Sequence, residues 1–235
     1  MMKAVKITAL ISLIVVLTTP VLADFSGGSF RWYSGTNYVT LYSPAQVRLN
    51  TISGSGSGGA FSVDAKNGSL PVWGSGNGLF TTYCVESQIT FSPGSWYWCS
   101  VNTNAYSGNM GLAGDPISDV TEWIYDKWLS GNASGWTQDE ISKAIWYAEG
   151  ETGGSATAPY NAALNHFGYT SLGQFGLATH TKALNLWGNI HYDPILDAYV
   201  ASDVQTHLIH IPVPAAALLG VFGLGLAGWV KRRMV

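Results

Sequence analysis

The first half of the chain consists of short apolar segments separated by glycine- and serine-rich breaks. Tyr, Trp, Thr, Val and Phe dominate these segments, and these residue types suit a pleated, half-buried surface. Within these segments the apolar positions recur with a period of two, and this pattern predicts β-strands. They are Arg31–Tyr33, Tyr38–Tyr42, Gln46–Ile52, Ala60–Val63, Leu79–Val85, Gln88–Phe91 and Trp96–Val101.

After Gly114 the period of the apolar positions changes to about 3.6, which indicates an amphipathic helix. Asp115 supplies a cap and Pro116 a first-turn proline, and Gly131 follows as a stop. The sequence therefore predicts a first helix between these signals. Its apolar face comprises Ile117, Val120, Ile124 and Trp128.

Two further segments carry helical signals. Thr137 and Glu140 have the spacing of a capping box, in which each side chain accepts a hydrogen bond from a first-turn backbone N–H, and Gly150 ends this helix. A third helix is predicted within Leu172–Leu186. The segment Val204–Ile211 returns to strand character.

This order of elements favours an α+β fold with an antiparallel, β-rich N-terminal half, sandwich- or barrel-like, packed against a helical C-terminal half. A doubly wound parallel sheet is disfavoured because strands and helices do not alternate. The domain is predicted over residues 24–210, and a C-terminal transmembrane helix is predicted to follow it.

The N-terminal residues have the order of a secretory signal peptide. Lys3 and Lys6 precede the apolar run Ile7–Leu17, and the chain then reaches the small residue Ala23. We expect residues 1–23 to be a signal peptide that is cleaved after Ala23. An uncleaved membrane anchor is the alternative.

The C-terminal residues predict a membrane span. The stretch Ala215–Val230 contains no charged residue, and Lys231, Arg232 and Arg233 follow it directly. Together with the residues from Ile211 it is long enough to cross a bilayer as a helix, and the basic cluster would hold that end in the cytoplasm.

These C-terminal features together resemble the PEP-CTERM sorting signal of Gram-negative bacteria, in residues 211–235. By this resemblance Pro212 and Pro214 are the motif prolines, and Lys231, Arg232 and Arg233 are the basic tail. Val213 stands where the usual motif has Glu. The resemblance implies an exosortase as partner, transient contact with the inner membrane, and export to the cell surface or the extracellular matrix. An unprocessed C-terminal anchor remains the alternative.

The charge balance of the middle segment narrows the classes of partner. The whole chain is 47% hydrophobic and 11% charged, but Asp24–His210 contains six basic and fourteen acidic residues, a net charge of −8. Binding to nucleic acid by phosphate neutralisation needs clustered Lys and Arg. We therefore expect no nucleic-acid partner, and 187 residues suit one domain.

Two cysteines in an exported chain favour a disulfide between Cys84 and Cys99. The segment Ser92–Ser95 looks like a hairpin turn that would bring the two strands together. Closing this loop of about 15 residues would contribute roughly 3 kcal/mol on the chain-entropy model.

A second resemblance concerns the sequence around Cys84. Thr82–Glu86 and the later Ala144–Trp146 are similar to the thioester-type domains of bacterial surface adhesins. In that family the Cys joins a Gln just before Ile-Trp, and the thioester captures nucleophiles. Ser142 occupies the Gln position here, so the resemblance implies the fold without the thioester. Gln138, one turn earlier, leaves a covalent thioester adhesin as an alternative.

The first predicted helix carries four carboxylates, Asp115, Asp119, Glu122 and Asp126, at helical spacing on one face. Paired carboxylates are what glycoside hydrolysis requires, and grouped oxygen ligands bind calcium. A hydrolase acting on polysaccharide through Asp119 and Glu122 is therefore an alternative to a solvated acidic face. The histidines lack zinc-site spacing, and we expect neither a metal nor another cofactor.

Aromatic residues suggest how such a chain would bind. Trp96, Tyr97 and Trp98 are consecutive in a predicted strand, so at least one of the rings faces away from a one-sided core. Trp96 and Trp98 are the candidate ligand-binding aromatics. The sequence predicts a non-enzymatic surface or matrix protein that binds exopolysaccharide or matrix proteins.

Overall fold

The structure is a computed structural model, described for residues 28–34, 36–43, 45–52, 59–70, 74–88, 90–106 and 112–211. The predicted signal peptide with Ala23 lies outside these residues. So do the predicted transmembrane helix and the sorting motif with Pro212, Pro214, Lys231, Arg232 and Arg233. In the described part of the chain, no helix has the length and apolarity needed to span a membrane.

The described chain contains ten strands, and eight of them form one sheet in the order β2-β1-β10-β9-β6-β3-β4-β5. Only β1 and β10 pair in parallel among these neighbours. The two short strands β7 and β8 pair separately. The strands are β1 (Gly28–Ser34), β2 (Asn37–Ser43), β3 (Ala45–Thr51), β4 (Phe61–Leu70), β5 (Gly74–Thr82), β6 (Trp96–Asn102), β7 (Asn104–Ala105), β8 (Asp115–Pro116), β9 (Thr181–Asp193) and β10 (Ala198–His210).

Six of the eight strands close into a barrel, because the chain beyond β5 pairs with β10. Cys84 and His207 form an antiparallel bridge there. On either side of it, the Val85 N–H donates to the Thr206 carbonyl at 2.9 Å, and the Leu208 N–H donates to the Tyr83 carbonyl at 3.0 Å. We call this contact the seam. It completes the ring β10-β9-β6-β3-β4-β5.

Alternate side chains of the six strands fill the interior of the barrel, as the period of two requires. Val47 and Leu49 from β3, Val63 from β4, and Leu184 and Leu186 from β9 are all fully buried in this cluster. The residues that alternate with them face outward, and on β9 Ala183 packs under the helices and Trp187 packs under the β1–β2 hairpin. The barrel is therefore a packed core.

Three helices cover the outer side of the seam: α1 (Asp119–Leu129), α2 (Gln138–Ala148) and α3 (Ala158–Phe167). They pack on the outward side chains of the seam and its flanking strands, including Tyr83, Val85, Ala183 and Leu208. The predicted capping box of α2 is confirmed. Thr137 Oγ1 accepts from the Glu140 N–H at 3.2 Å, and Glu140 Oε2 accepts from the Thr137 N–H at 2.8 Å.

A third cluster attaches the β1–β2 hairpin to the barrel. The buried rings of Phe30 and Trp32 from β1 lie 5.4 and 6.0 Å from that of Trp187 on β9. Trp187 Nε1 donates to Ser100 Oγ at 2.8 Å, so the buried indole N–H is satisfied. One face of the hairpin is therefore committed to the core.

The α+β class is confirmed, but the division into a strand half and a helical half is wrong. The predicted third helix within Leu172–Leu186 contains only a 3-10 turn at Leu172–Gln174, and β9 begins at Thr181. The third helix of the structure, α3, ends at Phe167, before the predicted segment begins, and has a proline in its first turn. Barrel closure needs β9 and β10, and this tertiary demand overrides the local helical pattern.

Two predicted boundaries also differ. The first helix begins at Asp119 because Ser118 is its N-cap, with the Ser118 side chain accepting from the Thr121 N–H. Asp115 and Pro116 instead pair as β8 with β7. The predicted strand Gln88–Phe91 is not a strand in the structure, where the described residues of this segment are bends and coil.

The structure does not contain the predicted disulfide, since Cys84 and Cys99 are both free, buried thiols. Cys99 lies on β6 and pairs with Ala45 and Leu186, whereas Cys84 lies at the seam. Cys84 lies on the continuation of β5, and two strands separate it from β6 in either direction around the barrel. A disulfide needs Cα atoms within about 7 Å, which adjacent hairpin strands provide and opposite barrel walls do not.

Candidate functional site

The outward face of the β1–β2 hairpin carries a row of exposed tyrosines. Register pairs Tyr33 with Tyr38, Arg31 with Thr40, and Ser29 with Tyr42. These residues alternate with the buried ones, so they share the solvent-facing side of the hairpin. We call the six residues the tyrosine face. Tyr38 is 47% exposed and Tyr42 is 73% exposed, which is unusual for aromatic side chains in a folded domain.

Contacts within the tyrosine face orient its rings. Arg31 Cζ lies 4.3 Å from the centroid of the Tyr38 ring, a cation–π geometry. The Tyr33 and Tyr38 rings are 5.3 Å apart. Arg31 Nη1 also donates to the Leu196 carbonyl at 3.3 Å, which connects the face to the β9–β10 hairpin. These contacts define the orientation of Arg31, Tyr33 and Tyr38 within the face.

A groove of about 380 Å³ adjoins the tyrosine face. Its walls combine Arg31 and Thr40 of the face with Tyr192, Asp197 and Tyr199 of the β9–β10 hairpin. Hydroxyl, carboxylate and guanidinium groups line it together with phenol rings. This mixture offers hydrogen bonds to a polyhydroxylated ligand and apolar surface to the C–H face of a sugar ring.

The tip of the β9–β10 hairpin is shaped by its own side chains. Asp193 Oδ1 accepts from the backbone N–H groups of Ile195 and Leu196 at 2.8 and 3.2 Å. Asp197 has a φ of 47°, in the left-handed region, and accepts a hydrogen bond from the Tyr192 hydroxyl. Ile195 is 91% exposed at this tip.

This end of the molecule concentrates exposed apolar surface. Nine large apolar side chains are exposed in the described chain, and five of them lie on the two hairpins. Groups of exposed large apolar side chains are typical of interaction surfaces. The five are Tyr38, Tyr42, Tyr192, Ile195 and Leu196.

The predicted binding aromatics Trp96 and Trp98 lie on the outer side of β6, whereas Tyr97 packs with the barrel interior. Arg48 Cζ and Lys66 Nζ stand 4.9 and 4.2 Å from the Trp96 ring centroid. Trp98 packs with the cluster of the β1–β2 hairpin. Part of each ring is therefore occupied by protein contacts, and their role in ligand binding stays a prediction.

The helix carboxylates hold the fold together at three separate points. Asp119 accepts from the Tyr169 hydroxyl at 2.7 Å. Glu122 accepts from the Thr179 hydroxyl at 2.8 Å and from the backbone N–H groups of His180 and Thr181, both at 2.7 Å. Asp126 Oδ1 lies 2.9 Å from His210 Nδ1. Each of these three carboxylates is engaged by another element of the fold, and Asp115 is not on the helix.

The ionisation of Glu122 also argues against a catalytic acid. Burial raises the pKa of its carboxyl, but the hydrogen bonds from Thr181, His180 and Thr179 outweigh burial and leave the pKa below its usual range. A glycosidase acid needs a raised pKa so that it holds a proton near neutral pH. Glu122 therefore has the wrong protonation state for that role.

Two carboxyls that the sequence did not single out do have raised pKa values. Burial raises the pKa of Glu86 to about 8 and that of Glu149 to about 7. Glu86 Oε2 accepts from the Thr206 N–H at 2.7 Å, next to the seam. Glu149 Oε1 accepts from the hydroxyl and the N–H of Ser118, at the start of α1. Both carboxyls are engaged in structural contacts.

The seam also buries a thiol beside an imidazole, a pair of residue types known from nucleophilic sites. The bonds on either side of the Cys84–His207 bridge make it a non-hydrogen-bonded pair, whose side chains lie close together. Burial lowers the pKa of His207 to about 3 and raises that of Cys84 to about 12. Both groups are neutral and shielded from water near pH 7, so Cys84 is not an activated nucleophile.

The alternation along the seam separates Cys84 from the helices. Tyr83 and Val85 face the helical layer, whereas Cys84 faces the barrel interior. Ser142 is buried in α2, where its hydroxyl donates to the Gln138 carbonyl at 3.0 Å. The Gln138 side chain accepts from the Ala60 N–H at 3.4 Å. This arrangement does not bring a carboxamide to the thiol.

Among the residues that the structure describes, no group of three or more His, Cys, Asp or Glu side chains is arranged to hold a metal ion. Comparison with known proteins gave no match to a family model, a curated protein or a solved structure.

The tyrosine face could have been predicted from the sequence. The strand Tyr38–Tyr42 alternates Tyr, Thr and Tyr with Val and Leu, and this pattern shows that the aromatic rings share the face opposite the aliphatic core residues. The groove beside it could not have been predicted, because its second wall comes from β9 and β10, more than 150 residues later in the chain.

Proposed function

We propose that this chain is an exported, non-enzymatic protein of the bacterial cell surface or extracellular matrix, and that it binds polysaccharide through the tyrosine face. The exposed row of Tyr38 and Tyr42 beside a polar groove is the observation that carries the proposal. The export steps rest on the terminal sequence features described above.

The physical case begins with the cost of exposing aromatic rings. Burial of such a ring is favourable by a few kcal/mol, and the exposed rings do not gain this free energy on folding. A partner that covers them would gain it on binding. Tyr38 and Tyr42 are four residues apart on one strand, a spacing of about 13 Å, which is longer than one sugar ring. An extended polymer therefore fits the face better than a single small molecule does.

Charge favours the same partner. The residues from Asp24 to His210 carry a net charge of −8, so polyanions such as nucleic acid are repelled at long range. Hydroxyl-rich polymers pay no such penalty. Arg31, Thr40 and Asp197 supply the donors and acceptors that sugar hydroxyls need.

The hydrogen bonds of the acidic residues support binding without hydrolysis of the polysaccharide. Asp119 and Glu122 accept hydrogen bonds from neighbouring elements, and Glu86 and Glu149 are held in structural contacts. A hydrolase needs two carboxyls on opposite sides of a bound sugar. Among the described residues that line it, the tyrosine-face groove has one carboxylate, Asp197.

The test is a binding assay on washed, insoluble cellulose and on exopolysaccharide isolated from the producing strain, with depletion of protein from solution as the measurement. We expect Tyr42→Ala to weaken binding about tenfold, the loss of about 1.4 kcal/mol of aromatic contact. Tyr147→Ala is the matched control, because Tyr147 is exposed on α2 away from the face. Equal binding by wild type and Tyr42→Ala would refute the tyrosine face as the site.

Export and processing are tested by the intact mass of the protein from its own host. Removal of residues 1–23 and of the C-terminal sorting signal is the expected result, and the residual length identifies an exosortase product. Alkylation without reductant should modify two thiols once the protein is unfolded, in accord with the free cysteines. A full-length mass would contradict the proposed processing.

A further inference from the structure

A second groove lies on the side of the barrel that the helices cover. Its cavity is about 550 Å³ and is lined by Trp123, Asp126, Lys127, Leu129, Ser130 and His210. We call it the tryptophan groove. Four of its six side chains are polar, and one wall is an indole.

The indole wall is held in place by its neighbours. His166 stacks on Trp123 with ring centroids 5.1 Å apart and planes 24° from parallel. Lys127 Nζ lies 5.1 Å from the indole centroid, and Trp136 lies 6.1 Å away. These contacts occupy part of the indole, as they do at Trp96, and fix the orientation of the part that lines the groove, which lowers the entropy cost of docking a ligand.

The polar walls offer hydrogen bonds of both directions. Asp126 is paired with His210 at 2.9 Å, and Lys127 supplies a cation. Carboxylate, imidazole, ammonium and hydroxyl groups around an indole are the set that binds a sugar ring by its edge hydroxyls and its apolar face. The tyrosine-face groove has the same chemical character, built from other elements.

The two grooves lie at opposite ends of β10. Tyr199, the second residue of the strand, lines the tyrosine-face groove, and His210, the last residue, lines the tryptophan groove. Eleven residue steps along an extended strand span roughly 35 Å, and the two register shifts in β10 shorten this somewhat. One short oligosaccharide does not reach both sites.

From this placement we infer that the protein is bivalent and crosslinks polysaccharide chains: the tryptophan groove binds a second saccharide segment of the same polymer class. The inference rests on the proposed function of the tyrosine face. A bivalent matrix protein gains avidity on one polymer and joins two polymers into a network.

The experiment mixes the full processed protein with dissolved exopolysaccharide from the producing strain and follows turbidity against the protein-to-polymer ratio. Wild type should give a turbidity maximum at an intermediate ratio. Tyr42→Ala and Ser130→Trp, which fills the tryptophan groove, should each keep measurable binding but lose at least about tenfold in turbidity. The double variant should bind negligibly. Leu172→Trp adds the same ring at another exposed site and is the control.

The outcomes separate this inference from the function on which it rests. No binding by wild type, or full binding by Tyr42→Ala, overturns the proposed function. If Tyr42→Ala lowers binding and turbidity as expected but Ser130→Trp crosslinks as well as wild type, only the second site at the tryptophan groove is overturned. Analytical sedimentation of each variant shows whether the protein self-associates, which could also crosslink polymers. If the wild type is a dimer and Ser130→Trp leaves the turbidity unchanged, that result also contradicts the inference.

Discussion

The barrel interior at the seam and the tyrosine face contain opposite kinds of residue in opposite environments. The seam buries Cys84, Glu86 and His207, which are the residue types of catalytic chemistry, and shields them from water. The tyrosine face exposes Tyr38 and Tyr42, which are residue types of a core. Reactive residue types are therefore a poor guide to the working surface of this protein, and accessibility is a better one.

The comparison also explains how the two regions depend on each other. The seam closes the barrel, and the buried side of the β1–β2 hairpin packs on Trp187 of that barrel. The hairpin thus presents its tyrosines only while the barrel is intact. The following predictions test this dependence, from the core outwards.

Trp187→Ala should have the largest effect, a loss of about 4 kcal/mol in the free energy of unfolding, because it leaves a cavity between the barrel and the hairpin. It also removes one of the two side-chain donors to the Ser100 hydroxyl, the other being Asn102. Urea unfolding followed by circular dichroism measures the loss. Polysaccharide binding should fall with it, although Trp187 is not on the tyrosine face. A loss below about 1 kcal/mol would show that the hairpin is held by other contacts.

Glu86→Gln should change how stability depends on pH. The folded protein keeps the Glu86 proton up to about pH 8, whereas an unfolded Glu releases it near 4.5. Raising the pH through this window therefore favours the unfolded state, by up to about 1.4 kcal/mol per pH unit. The variant should lack this part of the decline between pH 5 and 8, measured by urea unfolding at each pH.

The control for Glu86→Gln is Asp203→Asn, a carboxyl on the outer part of β10. Comparing the two variants separates the effect of the buried Glu86 carboxyl from the general effect of removing a carboxyl from the protein. Identical pH profiles for Glu86→Gln and wild type would mean that Glu86 is ionised in the fold.

Tyr42→Ala should have the smallest effect on stability, within about 0.5 kcal/mol, because an exposed side chain on an edge strand contributes little to folding. The same substitution is expected to weaken polysaccharide binding about tenfold. The separation of the two effects is the sharpest form of the comparison. A large loss of stability would place Tyr42 in the core of the fold rather than in a binding surface.

Local sequence patterns predicted the local elements well. The capping box at Thr137 and Glu140 marks the start of α2, and the alternation in Gln46–Ile52 marks β3, because both signals depend on neighbours only a few residues away. The prediction of a helix at Leu172–Leu186 was wrong because β9 is held on one side by β6, which lies far earlier in the chain and outside any local sequence window.

The candidate site divides in the same way. The sequence alone determined the α+β class of the fold, the alternation of Tyr38 and Tyr42 with aliphatic residues, and the acidic charge of residues 24–210, since each depends on local pattern or composition. Only the tertiary structure decided that the cysteines lie on opposite walls, that Glu122 caps a distant turn, and that Arg31 meets Tyr192 and Asp197 in one groove. Those relations come from barrel closure, which brings together segments far apart in the chain.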